Sequence, residues 1–392
     1  MDSKFFDQFY PGQIRFGMNC AESLGPILAA EKIRKILLVT DLPLVEIGTC
    51  RPVIESLDAA RIRFEVFDEA GIEPSTTVVD RVVEVAKQGN VDGLVAVGGG
   101  SVMDLAKLSG AVVAGTEPSN AYFGFDRVRD SLPVICLPTT AGTGSEVSHA
   151  AIIFDELAGT KKSVLSQRIR PSLAIVDPQL CLTCPKTLTA ESGIDALTHA
   201  IEAFLVTDAE ELGKKETKLP YAGKNPIADL YAAKSIELIS ENLEKAVNTP
   251  CPQSRAGMSL AATLAGLAFS NAGVTLVHAL EYPVGSRYKS AHGAGNGILL
   301  PGFLRFILES RRDEISRIGE MMNVGPNPDA VIDRIIAIRG NCRLPDRLSQ
   351  LGAAEADLPV IAETAFTMER LMDLCPRAVD NNGLLQILRN SL

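Results

Sequence analysis

The chain has 392 residues, 46% apolar and 22% charged, a globular composition that excludes disordered, low-complexity and collagen-like classes. Asp and Glu number 48 against 38 Lys and Arg, and the resulting net charge of −10 repels phosphate backbones and argues against a nucleic-acid partner. At roughly 150 residues per domain, the length allows two or three domains. The opening MDSKFFDQFYPGQ is acidic and lacks an apolar core, so no secretory leader is expected.

Along the first half, short apolar runs alternate with helix-like stretches. KILLVT (35–40), RFEVF (63–67), GLVAV (93–97), PVICL (133–137) and LAIVD (173–177) are predicted as buried strands, and 76–88 carries apolar residues at helical spacing. That alternation implies a mostly parallel sheet with helices on both faces. Asp41 ends the first of these runs. A carboxylate there either binds a ribose 2′-hydroxyl, favouring NAD over NADP, or caps the following turn.

GLVAV leads into Gly98, Gly99, Gly100 and Ser101 at the start of a helical segment. Glycines admit a diphosphate close to the backbone, where the helix N-terminus offers free N–H groups, although a tight strand-to-helix turn explains the same residues. LPTTAGTGSEVSHAA (137–151) is dense in hydroxyls and holds a single acid, Glu146. Thr139, Thr140, Thr143 and Ser148 are its candidates for contact with ribose and nicotinamide.

Cys181 and Cys184 form a CxxC with no second pair to complete a zinc site, and the eight scattered cysteines are expected as free thiols of a reducing cytoplasm. A boundary is expected near 178, separating an α/β domain (1–178) from a helical one (179–392). Helices are predicted over 189–206, 227–246, 255–280 and 328–338, with a polar, solvated insertion at 207–224. Residues 256–280 contain no charge and could span a bilayer by length, yet Ser259, Thr263, Ser270, Asn271, Thr275 and His278 fit a buried helix better. No membrane association is expected.

The chain has four histidines, His149, His199, His278 and His292. In GIDALTHAIEA, Asp195 and His199 stand four apart on one helix face among apolar neighbours, where an unpaired carboxylate is costly. His278 lies in LVHALEYPVG, where Pro283 and Gly285 are expected to end the helix, and His292 lies in AHGAGNGILLP. The two are thus on separate elements and free to converge. Three imidazoles with one carboxylate suit a first-row divalent metal, Fe2+ or Zn2+.

In order and approximate spacing, GGGSVMDLAK, PTTAGTGSEV, GIDALTHAIEA, AFSNAG followed by VHAL, and HGAGNGILLP resemble the iron-containing (group III) alcohol dehydrogenase family. The resemblance runs from the N-terminal strands to CPR (375–377). It implies an N-terminal α/β dinucleotide-binding domain with a parallel sheet and an all-α C-terminal metal-binding domain, the fold shared with dehydroquinate synthase. It further implies NAD as cofactor, Asp195, His199, His278 and His292 as metal ligands, and a homodimer. Asp41, the 98–101 loop, Thr139, Thr140, Thr143, Ser148 and Lys161 (or Lys162) match positions that contact NAD. Many relatives have a second histidine where this chain has Tyr282, and a similar tyrosine occurs in the hydroxyacid–oxoacid transhydrogenase branch. Tyr282 is therefore expected to orient the substrate or relay its proton, with His149 in a supporting catalytic role. Arg287 and Lys289 are either partners of a substrate carboxylate or solvated charges. The implied reaction is hydride transfer between NAD(H) and a small alcohol or aldehyde. A transhydrogenase or a 4-hydroxybutyrate-type hydroxy acid dehydrogenase is the nearest alternative.

Overall fold

A computed structural model describes residues 6–71, 73–213 and 220–392. Part of the expected polar insertion, 214–219, lies outside the described residues. The chain divides into an α/β unit, Phe9–Cys184, and a helical unit, Pro185–Leu392 with residues 6–8.

The division falls after Cys184 rather than at 178, because the turn following the last strand is tied into the sheet. The Asp177 carboxylate accepts from the backbone N–H groups of Asn19, Ala21 and Gln179 at 2.9–3.0 Å. Leu180 is buried in the core beneath, and the Cys181 thiol donates to the Pro138 carbonyl.

Nine strands form among the described residues of the α/β unit: β1 (Gln13–Phe16), β2 (Lys35–Val39), β3 (Arg63–Phe67), β4 (Gly93–Gly98), β5 (Gly124–Phe125), β6 (Val134–Pro138), β7 (Ala150–Asp155), β8 (Thr160–Leu165) and β9 (Leu173–Val176). Six of them make a parallel sheet in the order β1-β9-β6-β4-β2-β3. Alternate residues feed opposite cores: Leu37, Val39, Leu94 and Ala96 on one face, Ile36, Leu38, Val95 and Val97 on the other. Both faces are covered, which is why these strands read as unbroken apolar runs. The chain goes from β2 to β3 on one side and then to β4 on the other. The reversal creates a topological switch point, the usual ligand position in such sheets, at the carboxyl ends of β2 and β4. Asp41 follows β2, and the triple glycine follows β4. Strands β5, β8 and β7 form a separate small sheet in which the hairpin β7–β8 is antiparallel.

Helix α1 (Thr76–Gly89) is capped by the Ser75 hydroxyl, and α2 (Gly100–Ala114) starts at the glycine turn. Lys107, on α2, is wholly buried. Its ammonium donates to the Ser145 and Ala150 carbonyls and to the Ser148 hydroxyl, and it pairs with Asp104 at 3.1 Å. Asp104 in turn accepts from the Ser145 hydroxyl and the Ile152 N–H. A lysine–aspartate pair thus fastens the hydroxyl-rich 139–150 loop to α2 from below.

In the helical unit, α3 (Lys186–Leu205) packs against α4 (Pro226–Asn248), α5 (Pro252–Ala272) and α7 (His292–Ile307). The stretch expected as one helix over 255–280 is two, α5 and α6 (Leu276–Tyr288), bent by 106° at the break. Gly273 adopts φ 104° there, a conformation only glycine enters without strain, and it ends α5. Among the described residues no single helix is long and apolar enough to cross a membrane, although this bent pair passes by length and composition; most of its residues are buried. Pro283 does not end α6 as expected. It removes the backbone bond to the Ala279 carbonyl, and the helix continues to Tyr288.

Replacing Lys107 by Met leaves Asp104 without its cation. The expected outcome in urea unfolding is a loss of about 3 kcal/mol. Part of it returns when Asp104→Asn is added.

Candidate metal centre

Helix α3 places Asp195, His199 and Glu202 on one face by their spacing of four and three. Helix α6 does the same for His278, Glu281 and Tyr282, and α7 begins at His292. Asp195, His278 and His292 converge, with their ligand atoms all within 4.8 Å of one another. Asp195 Oδ1 lies 3.8 Å from His278 Nε2 and 3.7 Å from His292 Nε2. His199 is not part of this three-residue cluster but adjoins it. Its ring stacks between Phe269 and His278, at centroid distances of 4.2 and 4.5 Å, and its Nδ1 stands 3.8 Å from Asp195. That nitrogen is buried without a hydrogen-bond partner.

Two carboxylates complete the arrangement. Glu202 hydrogen-bonds His278 Nδ1, and its other oxygen accepts from the Val277 and Thr275 N–H groups at 2.8 and 3.2 Å. Glu281 hydrogen-bonds His292 Nδ1. With Nδ1 occupied in both rings, each imidazole presents Nε2 toward Asp195, the orientation that carboxylate–histidine–metal sites use. Neither acid is among the site residues expected from the sequence. Their signal was an acid three residues after a histidine inside an apolar helical run, once in GIDALTHAIEA and once in LVHALEYP.

Glycines make this convergence possible. A Cβ at Gly293 would lie 1.9 Å from the Glu191 carbonyl, and one at Gly285 would lie 2.5 Å from the Glu281 carboxylate. Asn296 donates to Asp195 at 2.8 Å and lies 3.2 Å from His292 Nε2.

Burial governs protonation here. It pushes His199 and His278 down to about 3, so both rings are neutral and have lone pairs for a cation. Burial pushes Asp195 upward, but the His199, His292 and His278 rings and the Asn296 amide outweigh it and hold the carboxyl below its ordinary value. Glu202 is raised to about 8, again by burial. Neutral imidazoles, an ionised carboxylate and an orphaned ring nitrogen form a donor set that fits a first-row divalent cation, Fe2+ or Zn2+.

Tyr282 stacks on His292 at 5.8 Å and meets His278 edge-on at 6.4 Å. Burial raises its phenol, which therefore keeps its proton. Arg287 is spent on Asp357 at 2.5 Å, and Lys289 is exposed at the end of α6.

In the α/β unit, α2 begins at Gly100, and its N-cap Gly99 has no side chain to cap it, so the helix start is open to close approach by an anion. A Cβ at Gly100 would meet the Thr143 side chain at 2.7 Å, and Thr140 packs 3.5 Å from the Cβ position of Gly99. Ser101 lies in the first turn of α2. Thr139 is buried and bonds the Gly98 carbonyl through its N–H. A dinucleotide diphosphate fits this turn.

Asp41 does not cap the next helix with its side chain; its Oδ1 accepts from the Gly71 N–H at 2.6 Å. Lys161, at the start of β8, pairs with Glu73 at 3.1 Å, and Lys162 pairs with Asp155 at 2.7 Å. Ser148, expected to touch the cofactor, is buried and turned toward Lys107, because the loop needs that hydroxyl as an internal acceptor. His149, expected in a supporting catalytic role, is wholly buried beside Arg170, and burial, with Arg170 and Lys107, pushes it down to about 3.

Comparison with known proteins decides the family. The "Iron-containing alcohol dehydrogenase" model matches residues 11–178, and the "Fe-containing alcohol dehydrogenase family, C-terminal" model matches 220–392. The chain belongs to the iron-containing alcohol dehydrogenase family. It is 34% identical to an NAD-dependent methanol dehydrogenase of Bacillus methanolicus, over 98% of this chain and 99% of that one. It is 29% identical to a mitochondrial hydroxyacid–oxoacid transhydrogenase of Bos taurus, over 97% and 88%. The crystal structure of a 1,3-propanediol oxidoreductase superposes with a TM-score of 0.92 at 31% identity, covering 99% and 100% of the two chains. The chain is accordingly an oxidoreductase with the family's α/β and helical domains.

Two measurements follow from this geometry. Glu202→Gln should weaken metal binding about 10- to 100-fold in chelator competition, because the amide no longer holds His278 as a carboxylate does. His149 tests burial through pH. The unfolded chain takes up its proton near the ordinary value of 6.5, whereas the folded chain does so only at about 3. Stability therefore falls as pH drops through that window. His149→Gln should flatten the slope by about 1.4 kcal/mol per pH unit.

Proposed function

We propose that this protein catalyses reversible, NAD-dependent oxidation of a small alcohol to its carbonyl compound at a centre built on Asp195, His199, His278 and His292. The observation that carries the proposal is the pair of buried carboxylates, Glu202 and Glu281, that turn two imidazole Nε2 atoms toward Asp195.

When bound, Fe2+ or Zn2+ supplies Lewis acidity to the substrate oxygen, and NAD supplies the hydride acceptor. The residues of the chain do the rest. Asp195 and the imidazoles hold the cation, and the carboxylates fix the rings. The neutral Tyr282 phenol donates a hydrogen bond to the substrate oxygen and shares its proton. The Gly98, Gly99 and Gly100 turn with Ser101 cradles the diphosphate, Asp41 engages the ribose, and Thr139, Thr140, Thr143 and Lys161 line the remaining cofactor path. No nucleophilic side chain is needed, since hydride passes directly between carbons.

A homodimer in the cytoplasm belongs to the same proposal. Strand β1 is an edge strand with exposed Ile14 and Phe16, and all eight cysteines are free thiols.

The test is NADH absorbance across alcohols, diols and hydroxy acids, with protein stripped by chelator and reloaded with Fe2+ or Zn2+. Turnover is expected to vanish on stripping, return on reloading and be lost in His278→Ala. Turnover that survives stripping or that substitution would overturn the proposal. Dependence on a 2-oxo acid in place of free NAD would move the chain to transhydrogenase chemistry.

A further inference from the structure

The helix that opens with His292 carries a proline in its middle. Pro301 lies inside α7 and has no N–H to give the Gly297 carbonyl four residues earlier. Gly297 is buried against α3, where a Cβ would lie 2.9 Å from the side chain of Ile194, the neighbour of Asp195. A buried carbonyl deprived of its helical donor is costly unless another donor reaches it.

That donor comes from a different helix. Arg339 lies in the last turn of α8 (Pro328–Asn341), which packs against α7, and its guanidinium donates to the Gly297 carbonyl at 3.2 Å. Arg339 is 7% exposed, its Nε is enclosed without an acceptor, and it makes no ion pair among the described residues. Arg311, similarly enclosed, pairs with Asp208 and Glu314. Burying a guanidinium without a counter-charge is costly, so stability alone does not account for Arg339 at this carbonyl.

The carbonyl belongs to the part of α7 that meets the metal cluster. Gly297 follows Asn296, whose amide nitrogen lies 2.8 Å from Asp195 Oδ1, 3.2 Å from His292 Nε2 and 3.4 Å from His278 Nε2. Gly293 and Gly297, four apart on one face, seat α7 on α3 at Glu191 and Ile194. We infer that Arg339 is a positioning residue of the metal centre: it makes the hydrogen bond that Pro301 cannot, and so holds the first turns of α7, with His292 and Asn296, against Asp195. It acts through the Gly297 carbonyl. The inference rests on the dehydrogenase centre proposed above and adds a support from outside the helices that carry its ligands.

The experiment measures Zn2+ affinity by chelator competition and the visible spectrum of Co2+-loaded protein, at a temperature where circular dichroism shows the variants folded. Arg339→Met, close to arginine in apolar length, is expected to weaken Zn2+ binding about 10-fold or more and to shift the Co2+ ligand-field bands. Arg339→Lys should restore part of the affinity, and it carries the same comparison if Arg339→Met does not fold. Pro301→Ala returns a backbone N–H to the Gly297 carbonyl, so in that background Arg339→Met should change Zn2+ affinity less than about threefold. Affinity and bands unmoved by Arg339→Met, or an equal loss in both backgrounds, overturn the inference and leave the dehydrogenase function standing. A wild-type chain that takes up neither ion counts against that function instead, and hydrogen exchange then decides the inference. Faster exchange of the 293–299 amides in Arg339→Met, suppressed by Pro301→Ala, supports it; exchange equal to wild type overturns it.

Discussion

The helical unit is organised around buried carboxyl groups. Asp195, Glu202 and Glu281 are enclosed within a few side chains of one another, and burial keeps the neighbouring His199 and His278 rings neutral. Carboxylates removed from water need hydrogen bonds, a counter-charge or a proton. Backbone N–H groups serve one oxygen of Glu202, and histidine Nδ1 atoms serve one oxygen each of Glu202 and Glu281. Asp195 has the Asn296 amide and two Nε2 edges. A divalent cation at that point satisfies the carboxylate and the ring lone pairs together.

Such an arrangement requires three helices to approach closely at one spot, and the glycines of HGAG and of α6 meet that requirement. Gly293 lets the start of α7 press on the α3 backbone, while Gly285 and Gly295 leave the volume that the Glu281 side chain fills. Side chains at these positions would force the helices apart and separate His292 from Asp195. Glycine is thus used in the same way in both units: in the helical unit it admits a carboxylate, and at Gly100 in the α/β unit it admits the Thr143 loop to the helix start.

Much of this was legible in the sequence, and the failures have physical causes. The four central strands, β2, β4, β6 and β9, were readable because both faces are buried, so apolar residues run unbroken, whereas the edge strand β3 was readable from the alternation of RFEVF. Strand β1 was missed because it is an exposed edge reading QIRF, and the β7–β8 hairpin because β8 opens on the charged, exposed pair Lys161 and Lys162. The break between α5 and α6 depends on a left-handed conformation at Gly273, which apolar periodicity does not report. Convergence of Asp195, His278 and His292 was anticipated from residue types and family resemblance. The roles of Glu202 and Glu281 depend on side-chain orientation across helices, which no local spacing reveals. Ser148 and His149 show the opposite limit: the contacts of these polar side chains with Lys107 and Arg170 are set by tertiary packing, which the motif itself does not report.

The central claim is that one cation is gripped by Asp195 together with imidazole Nε2 atoms whose Nδ1 atoms are held by carboxylates. X-ray absorption spectroscopy of the metal-loaded protein tests it most directly. The expected spectrum shows nitrogen and oxygen neighbours at about 2.1 Å with the outer-shell scattering of several imidazole rings, lost in Asp195→Ala. A shell of water-like oxygens without imidazole scattering, or one unchanged by Asp195→Ala, would contradict the account.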